Sequence, residues 1–413
     1  MEPLNSSSLA TLAPARAVEE EPLELTLLMP CLDEGRTVGA CVTTARRFLA
    51  RHGVSGEVLV ADNGSQDDSI AIAERAGARV LRVAERGYGS ALAAGIRAAR
   101  GRYIVMGDSD GSYDWAGAMP FLQLLRGGHE LVMGNRFRGG IEAGAMPFLH
   151  RYLGNPVLTA VGRRFFGSDC GDFYCGQRGF ARAAALRMDL RTSGMEFALE
   201  MLVKATLLEM KVTEVPVVLS PDGRGRRSHL RTWRDGWRSL RFFLLYSPRW
   251  LFLLPGLLLM TLGLGLGSWL AFAPRDVLGV RLDVHTLLYC SVAVSLGFQL
   301  VAFFLFGKVL AVVSGLHPPG RRLTRAMQVV HLEHGLVVGA LLVAGGLYGS
   351  WRATLAWARG AFGDLDPFEV MRTTIPAALL LTLGVQVLCS SFYFSLLGLQ
   401  WRERFARPGR ESG

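Results

Sequence analysis

The apolar and polar positions of this chain fall into two regimes. From residue 23 to about 135, short apolar runs alternate with helix-like segments. Leu25-Thr26-Leu27-Leu28-Met29, Glu57-Val58-Leu59-Val60-Ala61, Ala78-Arg79-Val80-Leu81-Arg82-Val83 and Tyr103-Ile104-Val105-Met106 read as strands. Helices are expected at about 37–51, over 67–76, and from Gly87-Tyr88-Gly89-Ser90 to about 100. Alternation at this spacing predicts an α/β fold with a mostly parallel sheet. Residues 136–245 are less regular, with a helix expected over 195–209 and a strand over 212–219. Four apolar segments then follow, at about 250–272, 286–314, 335–358 and 373–399. Each is long enough to cross a hydrocarbon core of roughly 30 Å. The resulting division is a tail at 1–22, an α/β domain at 23–222, a basic interfacial segment at 223–249, four transmembrane helices within 250–400, and a tail at 401–413.

Composition sharpens this picture at three points. Half of the 413 residues are apolar and 19% are charged, an excess of apolar residues that sits in the C-terminal part. The net charge is +10. Arg224, Arg226, Arg227, Arg231, Arg234, Arg238 and Arg241 stand directly before the first apolar segment, interleaved with Trp233, Trp237 and Phe242. That placement favours an anionic membrane surface or lipid headgroup over nucleic acid as the partner. Arginines at 321, 322, 325 and in the C-terminal tail put those loops, and with them the N-terminal domain and both termini, on the cytoplasmic side. The six cysteines form no C-x-x-C pair; Cys170 and Cys175 read as packed thiols in a reducing compartment. Residues 1–22 lack the basic start and apolar core of a signal peptide and read as a disordered tail.

Acidic residues fall at the ends of three of the expected strands: Asp33 and Glu34, Asp62, and Asp108 and Asp110. In open α/β sheets ligands bind beyond the carboxyl ends of the strands. Asp108 and Asp110, two residues apart after a buried strand, suit a hard divalent cation, which takes one or two carboxylates and completes its shell with water and phosphates. Their alternative is a plain turn, since Asp, Ser and Gly all favour turns. Asp62 suits hydrogen bonds from a base or ribose hydroxyls, or else an Asx-turn or helix cap. Gly87-Tyr88-Gly89-Ser90 reads equally as a glycine turn in which Ser90 caps a helix, with Arg86 beside it within reach of a donor diphosphate. Arg136 and Arg178 stand among glycines in Gly134-Asn135-Arg136 and Gly176-Gln177-Arg178-Gly179. Arginine binds phosphate bidentately and keeps its charge, so both suggest oxyanion recognition; a surface charge or a carboxylate partner is the alternative.

The series MPCLDEG, ADNGSQDDS, RGYGSALAAGI, GDSDGSYD, MGNRF and DFYCGQRGF resembles family 2 glycosyltransferases, in order and in register. The arrangement is similar to that of polyprenyl-phosphate (dolichyl-phosphate) glucose and mannose synthases with a C-terminal membrane region. The resemblance covers about residues 23–245. It implies a GT-A (Rossmann-like) fold, a nucleotide-sugar donor such as UDP-glucose or GDP-mannose, and inverting transfer of a hexose to a lipid phosphate with Mg2+ or Mn2+. By the same resemblance Pro30, Asp33, Glu34 and Asp62 line the nucleotide site and Asp108 and Asp110 hold the metal on the donor diphosphate. Arg136 and Arg178, with Asp172 near them, surround the acceptor phosphate; Arg224 and Arg227 of the basic segment join that set. Three positions depart from the family pattern. Asn often stands at the place of Asp33, a second Asp at that of Asn63, and in some lipid-phosphate mannosyltransferases a metal-binding Gln at that of Ser112.

Acceptor chemistry separates the competing functions. A sugar hydroxyl needs a positioned general base. A phosphomonoester, with its second pKa near 6, is largely a dianion at neutral pH and needs orientation and charge screening instead. The chain carries neither a Thr-Glu-Asp base motif nor the Gln-x-x-Arg-Trp motif of processive polysaccharide synthases. A hydroxyl acceptor on a glycolipid or polysaccharide therefore requires a base near Glu196 or Glu200, whose alternative is a helix face that packs against the site. A non-enzymatic lipid transporter or scaffold requires a dispensable Asp pair.

Overall fold

The computed structural model describes residues 23–223, 232–320, 323–325, 327, 332–364 and 366–405. The 1–22 tail, Arg224, Arg226, Arg227, Arg231, Arg321 and Arg322 lie outside the described residues.

Seven strands among the described residues form one sheet: β1 (Leu25–Cys31), β2 (Gly56–Asp62), β3 (Arg79–Arg82), β4 (Tyr103–Met106), β5 (Leu131–Asn135), β6 (Arg178–Ala181) and β7 (Val212–Pro216). Their order is β3-β2-β1-β4-β6-β5-β7. β6 runs antiparallel between β4 and β5, and every other pairing is parallel. From β1 the chain goes to β2 and β3 on one side and returns to β4 on the other. This makes the β1/β4 border the topological switch point, where such sheets bind ligands. The α/β architecture expected of the GT-A resemblance is the one observed.

Helices α1 (Val38–His52), α2 (Ser69–Arg75), α3 (Tyr88–Ala98) and α4 (Met119–Arg126) follow the first four strands in turn. Strand residues alternate between two cores, as their period of two requires. Leu25, Leu27 and Met29 pack with Phe48, Trp115 and Phe121 on one face, while Leu28 packs with Leu92, Phe180 and Phe197 on the other. Later helices are α5 (Arg136–Gly139), α6 (Asn155–Phe166), α7 (Arg182–Met188), α8 (Phe197–Leu207) and α9 (Thr232–Tyr246). In α9 Phe242, Phe243 and Tyr246 are buried, while Trp233, Trp237 and Leu245 are exposed.

Among the described residues four helices are long and apolar enough to span a membrane: Arg249–Leu270, Val284–Val313, Leu332–Arg359 and Pro367–Glu403. The first packs against the second, the third against the fourth, and the second and fourth join the two pairs. Glycines make each pair close. A β-carbon on Gly256 would stand 2.8 Å from the Gly297 carbonyl, and one on Gly384 2.9 Å from that of Gly339. Between the pairs the contact is largely apolar, with Val309 and Val312 against Leu397 and Trp401, and includes one polar spot where Gln386 Nε2 lies 3.4 Å from both Gln299 Oε1 and Ser295 Oγ. Arg372, on the fourth span, donates to the Leu270 carbonyl at 2.7 Å and to Asp283, bonding the ends of the first, second and fourth spans.

Candidate active site

The carboxyl ends of β2, β1 and β4 carry three of the sequence motifs side by side, and hydrogen bonds fix each to the next. The loop after β1 is braced by the loop after β2. Asp33 and Glu34 donate their backbone amides to Ser65 Oγ (2.9 Å) and Ser69 Oγ (2.8 Å), and Asp33 Oδ1 accepts from the Gln66 amide at 2.7 Å. Asp33 has φ 56°, a left-handed conformation that Asp tolerates better than most residues. Pro30 accepts a 2.7 Å bond from Ser109 Oγ, which joins the end of β1 to the acidic loop after β4.

Asp62 is buried and accepts from the amides of Gly64 (3.0 Å) and Ser65 (3.2 Å), the Asx-turn arrangement. A carboxylate has about four lone-pair sites, so the turn does not exhaust it. Its neighbour Asn63 does work that the sequence did not reveal. It donates Nδ2 to the Glu85 carbonyl at 2.7 Å and accepts the Gly87 amide on Oδ1 at 2.6 Å, so both ends of one side-chain amide hold the loop before α3. A carboxylate at this position accepts but cannot donate. Asn63→Asp is expected to loosen this loop by about 1–3 kcal/mol, the cost of an unmet buried group. The check is faster hydrogen exchange at residues 85–89; unchanged exchange refutes it.

The loop opens α3 with Gly87 at the N-cap and no side-chain cap, so Ser90 does not cap this helix. Tyr88 is the informative residue there. Its hydroxyl donates to Asp108 Oδ1 at 3.2 Å, and burial, followed by the charge of Asp108, raises the phenol well above its ordinary pKa. It therefore acts as a fixed donor. Asp110 is 5% exposed, and its Oδ1 accepts the Ser112 amide at 3.0 Å. Arg86 lies exposed on the rim of the loop.

Asp108 and Asp110 thus offer oxygen donors at the switch point, the donor set of a hard cation that keeps water and phosphate oxygens. Among the described residues no three His, Cys, Asp or Glu side chains cluster as a metal cage.

The DFYCGQRGF segment walls this site. Gly176 comes so near that a β-carbon on it would stand 2.8 Å from Asp108 Oδ2, and its amide donates to the Tyr113 hydroxyl at 2.9 Å. Arg136 and Asp172 meet in a buried fork: Nε to Oδ2 at 2.7 Å and Nη2 to Oδ1 at 2.8 Å, with the Arg136 amide on Oδ2 at 3.1 Å. Burial opposes the Arg136 charge, but Tyr113 and Asp172 outweigh it and raise its pKa. Glu214 on β7 accepts the amides of Gly171 (2.6 Å) and Asp172 (3.3 Å) and so holds the same loop. Cys170 and Cys175 are buried free thiols, Cys170 donating to Glu214 at 3.1 Å.

Arg178 is placed differently from the sequence expectation. It begins β6, beside Met106 of β4, and has no exposed surface. Its guanidinium donates to the carbonyls of Cys175 (2.9 Å), Phe173 (3.0 Å) and Ala198. Burial lowers its pKa. In this conformation it shapes the wall from within, whereas Arg136 and Asp172 are brought together at its edge. Glu200 is also wholly buried and bonded on every side.

Comparison with known proteins gives this arrangement a family. The model for glycosyl transferase family 2 matches residues 26–187, and that for the glycosyltransferase family 2 C-terminal transmembrane region matches 305–398. The low-salt glycan biosynthesis hexosyltransferase Agl6 of Haloferax volcanii is 33% identical over 376 residues, 91% of this chain and 89% of that protein. The dolichyl-phosphate hexose transferase of the same organism is 28% identical over 195 residues, 47% of this chain and 82% of its own. Among solved structures, glucosyl-3-phosphoglycerate synthase from Mycobacterium tuberculosis in complex with Mn2+ and UDP-Glc is 22% identical with a TM-score of 0.43, covering 55% of this chain and 79% of that one. With sheet, motifs and spans in agreement, this chain belongs to glycosyltransferase family 2 and carries that family's C-terminal transmembrane region.

Proposed function

We propose that this glycosyltransferase moves a hexose from a nucleotide sugar, UDP-glucose or GDP-mannose, to a polyprenyl phosphate at the cytoplasmic face of a membrane, with inversion at the anomeric carbon. The observation that carries the reading is the Asp108/Asp110 pair at the carboxyl end of β4, on the same side of the sheet as Asp62 at the end of β2, in a chain whose C-terminal part is apolar helices. The relatives named dolichyl-phosphate hexose transferase and dolichol-phosphate mannosyltransferase support the same acceptor class.

In this reading Pro30, Asp33, Glu34 and Asp62 line the nucleotide, and Arg86 reaches the diphosphate from the rim. Asp108 and Asp110 would hold Mg2+ or Mn2+, which supplies charge neutralisation on the departing nucleoside diphosphate. Tyr88 keeps Asp108 oriented. The lipid phosphate arrives as a dianion, so no residue need deprotonate it. Arg136 commits Nε and Nη2 to Asp172, and a guanidinium has five N–H donors, so part of the fork remains for a phosphate oxygen. Arg224 and Arg227 belong to the same proposed acceptor site, and Arg178 sustains its wall. The phosphate oxygen bonds to the anomeric carbon as the bond to the nucleotide breaks. Full engagement of Glu200 speaks against its serving as the base that a hydroxyl acceptor requires.

The test is purified protein in lipid nanodiscs, offered labelled UDP-glucose and GDP-mannose with polyprenyl phosphate, polyprenol or a neutral glycolipid. The expected product, by mass spectrometry, is a polyprenyl-phosphate hexose from one donor. Transfer confined to hydroxyl acceptors refutes the reading.

A further inference from the structure

Glu200 lies on α8, has no exposed surface, and is surrounded by donors from three parts of the chain. The Arg191 amide reaches it at 3.0 Å, the Thr192 amide at 2.8 Å, the Thr192 hydroxyl at 2.6 Å, Lys204 Nζ at 2.7 Å and the Tyr246 hydroxyl at 3.2 Å. Burial works against its charge, yet Lys204 and the two Thr192 donors hold the carboxyl below its usual range. A carboxylate so occupied neither takes a proton nor meets substrate. Its partners, however, lead in two directions.

One direction is the acid pair. The loop that Glu200 holds at Arg191 and Thr192 continues to Ser193, whose carbonyl accepts the amides of Gly89 (2.8 Å) and Ser90 (3.3 Å) at the start of α3. A β-carbon on Gly87 would collide with that same carbonyl. Tyr88, between those glycines, is the residue that bonds Asp108. The other direction is the membrane half. Tyr246 ends α9, just before the first span, and stacks on Phe242 with ring centroids 4.3 Å apart. Its ring also lies 5.8 Å from that of His317, beyond the end of the second span. Burial, then the Lys308 charge, pushes His317 down to about 4, so its ring is neutral and Nδ1 accepts from Lys308 Nζ at 3.2 Å. Arg191 adds a second link, donating Nη1 to the Ser314 carbonyl at 2.7 Å.

We infer that Glu200 is a positioning residue that fixes the Asp108 side of the active site relative to the membrane spans, through Thr192, Ser193 and Tyr88 on one side and Tyr246 and Arg191 on the other. This rests on the proposed reading that the acceptor phosphate resides in the bilayer. Such a tie matters for an acceptor whose height is set by the membrane and not for one that diffuses freely.

Two mild variants test it, Tyr246→Phe, which deletes one hydroxyl, and Arg191→Ala, whose side chain is 47% exposed. Each is assayed with a long-chain polyprenyl phosphate in nanodiscs and with a two-isoprene monophosphate in solution. Each variant should lower transfer to the bilayer acceptor up to about tenfold, the worth of one hydrogen bond, through acceptor KM. Donor Kd and transfer to the soluble phosphate should stay within about twofold, the scatter expected between residues that share no direct contact. Glu200→Gln should show the same split more strongly. Equal loss on both acceptors, weaker donor binding, or no loss on either overturns the inference. If wild-type protein uses neither phosphate, the acceptor reading fails by itself. The tie is then judged by pulsed EPR distances between spin labels at Glu74 and Glu333 in a Cys389→Ser background. A broader distribution in Tyr246→Phe upholds it and an unchanged one overturns it.

Discussion

Asp110→Asn is expected to lower hexosyl transfer by about 10²–10³-fold while leaving the protein folded. The asparagine is nearly the same size, and its carbonyl can still accept the Ser112 amide that Asp110 Oδ1 now accepts at 3.0 Å. What disappears is the negative charge and a second anionic oxygen. If those hold a divalent cation against the donor diphosphate, several kcal/mol of leaving-group stabilisation go with them, and each 1.36 kcal/mol is about tenfold in rate. The measurement is kcat with the preferred nucleotide sugar across a Mg2+ and Mn2+ titration, beside circular dichroism. Near-normal transfer by the variant, or wild-type activity indifferent to chelation, removes the metal from the mechanism.

The second large effect concerns stability. Asp172→Ala should destabilise the catalytic half by about 3–5 kcal/mol, because removing one member of a buried pair strands the other's charge. Arg136 is 7% exposed and cannot turn to water without opening the loop, and the amides of Arg136 and Tyr174 lose their acceptor as well. Thermal and denaturant unfolding in detergent would show it. A double replacement, Arg136→Met with Asp172→Leu, separates structure from function. Apolar substitutes for a buried pair are often neutral in stability, so the double variant should regain much of the loss. It should still fail to bind acceptor phosphate if Arg136 contributes donors there. A double variant with unimpaired acceptor KM limits the pair to holding the wall.

The parts of the site that were readable from sequence are those where one residue type answers to one local geometry. β4 spans Tyr103–Met106, as its four apolar residues predict, and the acids fall at strand ends because turn-forming residues stop the strands there. Arg178 was not readable in the same way. A strand of Arg-Gly-Phe-Ala offers almost no alternation, and its burial comes from insertion between β4 and β5, strands separated from it by more than 40 positions. Only the antiparallel register shows that its charge is met by carbonyls. Asn63 and Tyr88 escaped for a related reason. Their partners, Glu85, Gly87 and Asp108, are fixed by how two loops meet, and the Gly-Tyr-Gly pattern draws the eye to its glycines. Helix α6 shows no clear apolar face in the sequence, because its apolar residues are divided between the core and an exposed side. Phe165, stacked 5.0 Å from Trp250 at the start of the first span, is the contact that makes sense of it.

The glycine contacts among the spans bear on biogenesis. Two hairpins, each zipped backbone to backbone, are units that a translocon can release one after the other in the order of synthesis. The Gln386 contact with Ser295 and Gln299 and the Arg372 bonds to Leu270 and Asp283 both need the last span, so they require the fourth span to be in place. A chain truncated before the fourth span would leave Gly339 and Gly346 facing lipid and Asp283 without that arginine, a product that membrane quality control could single out.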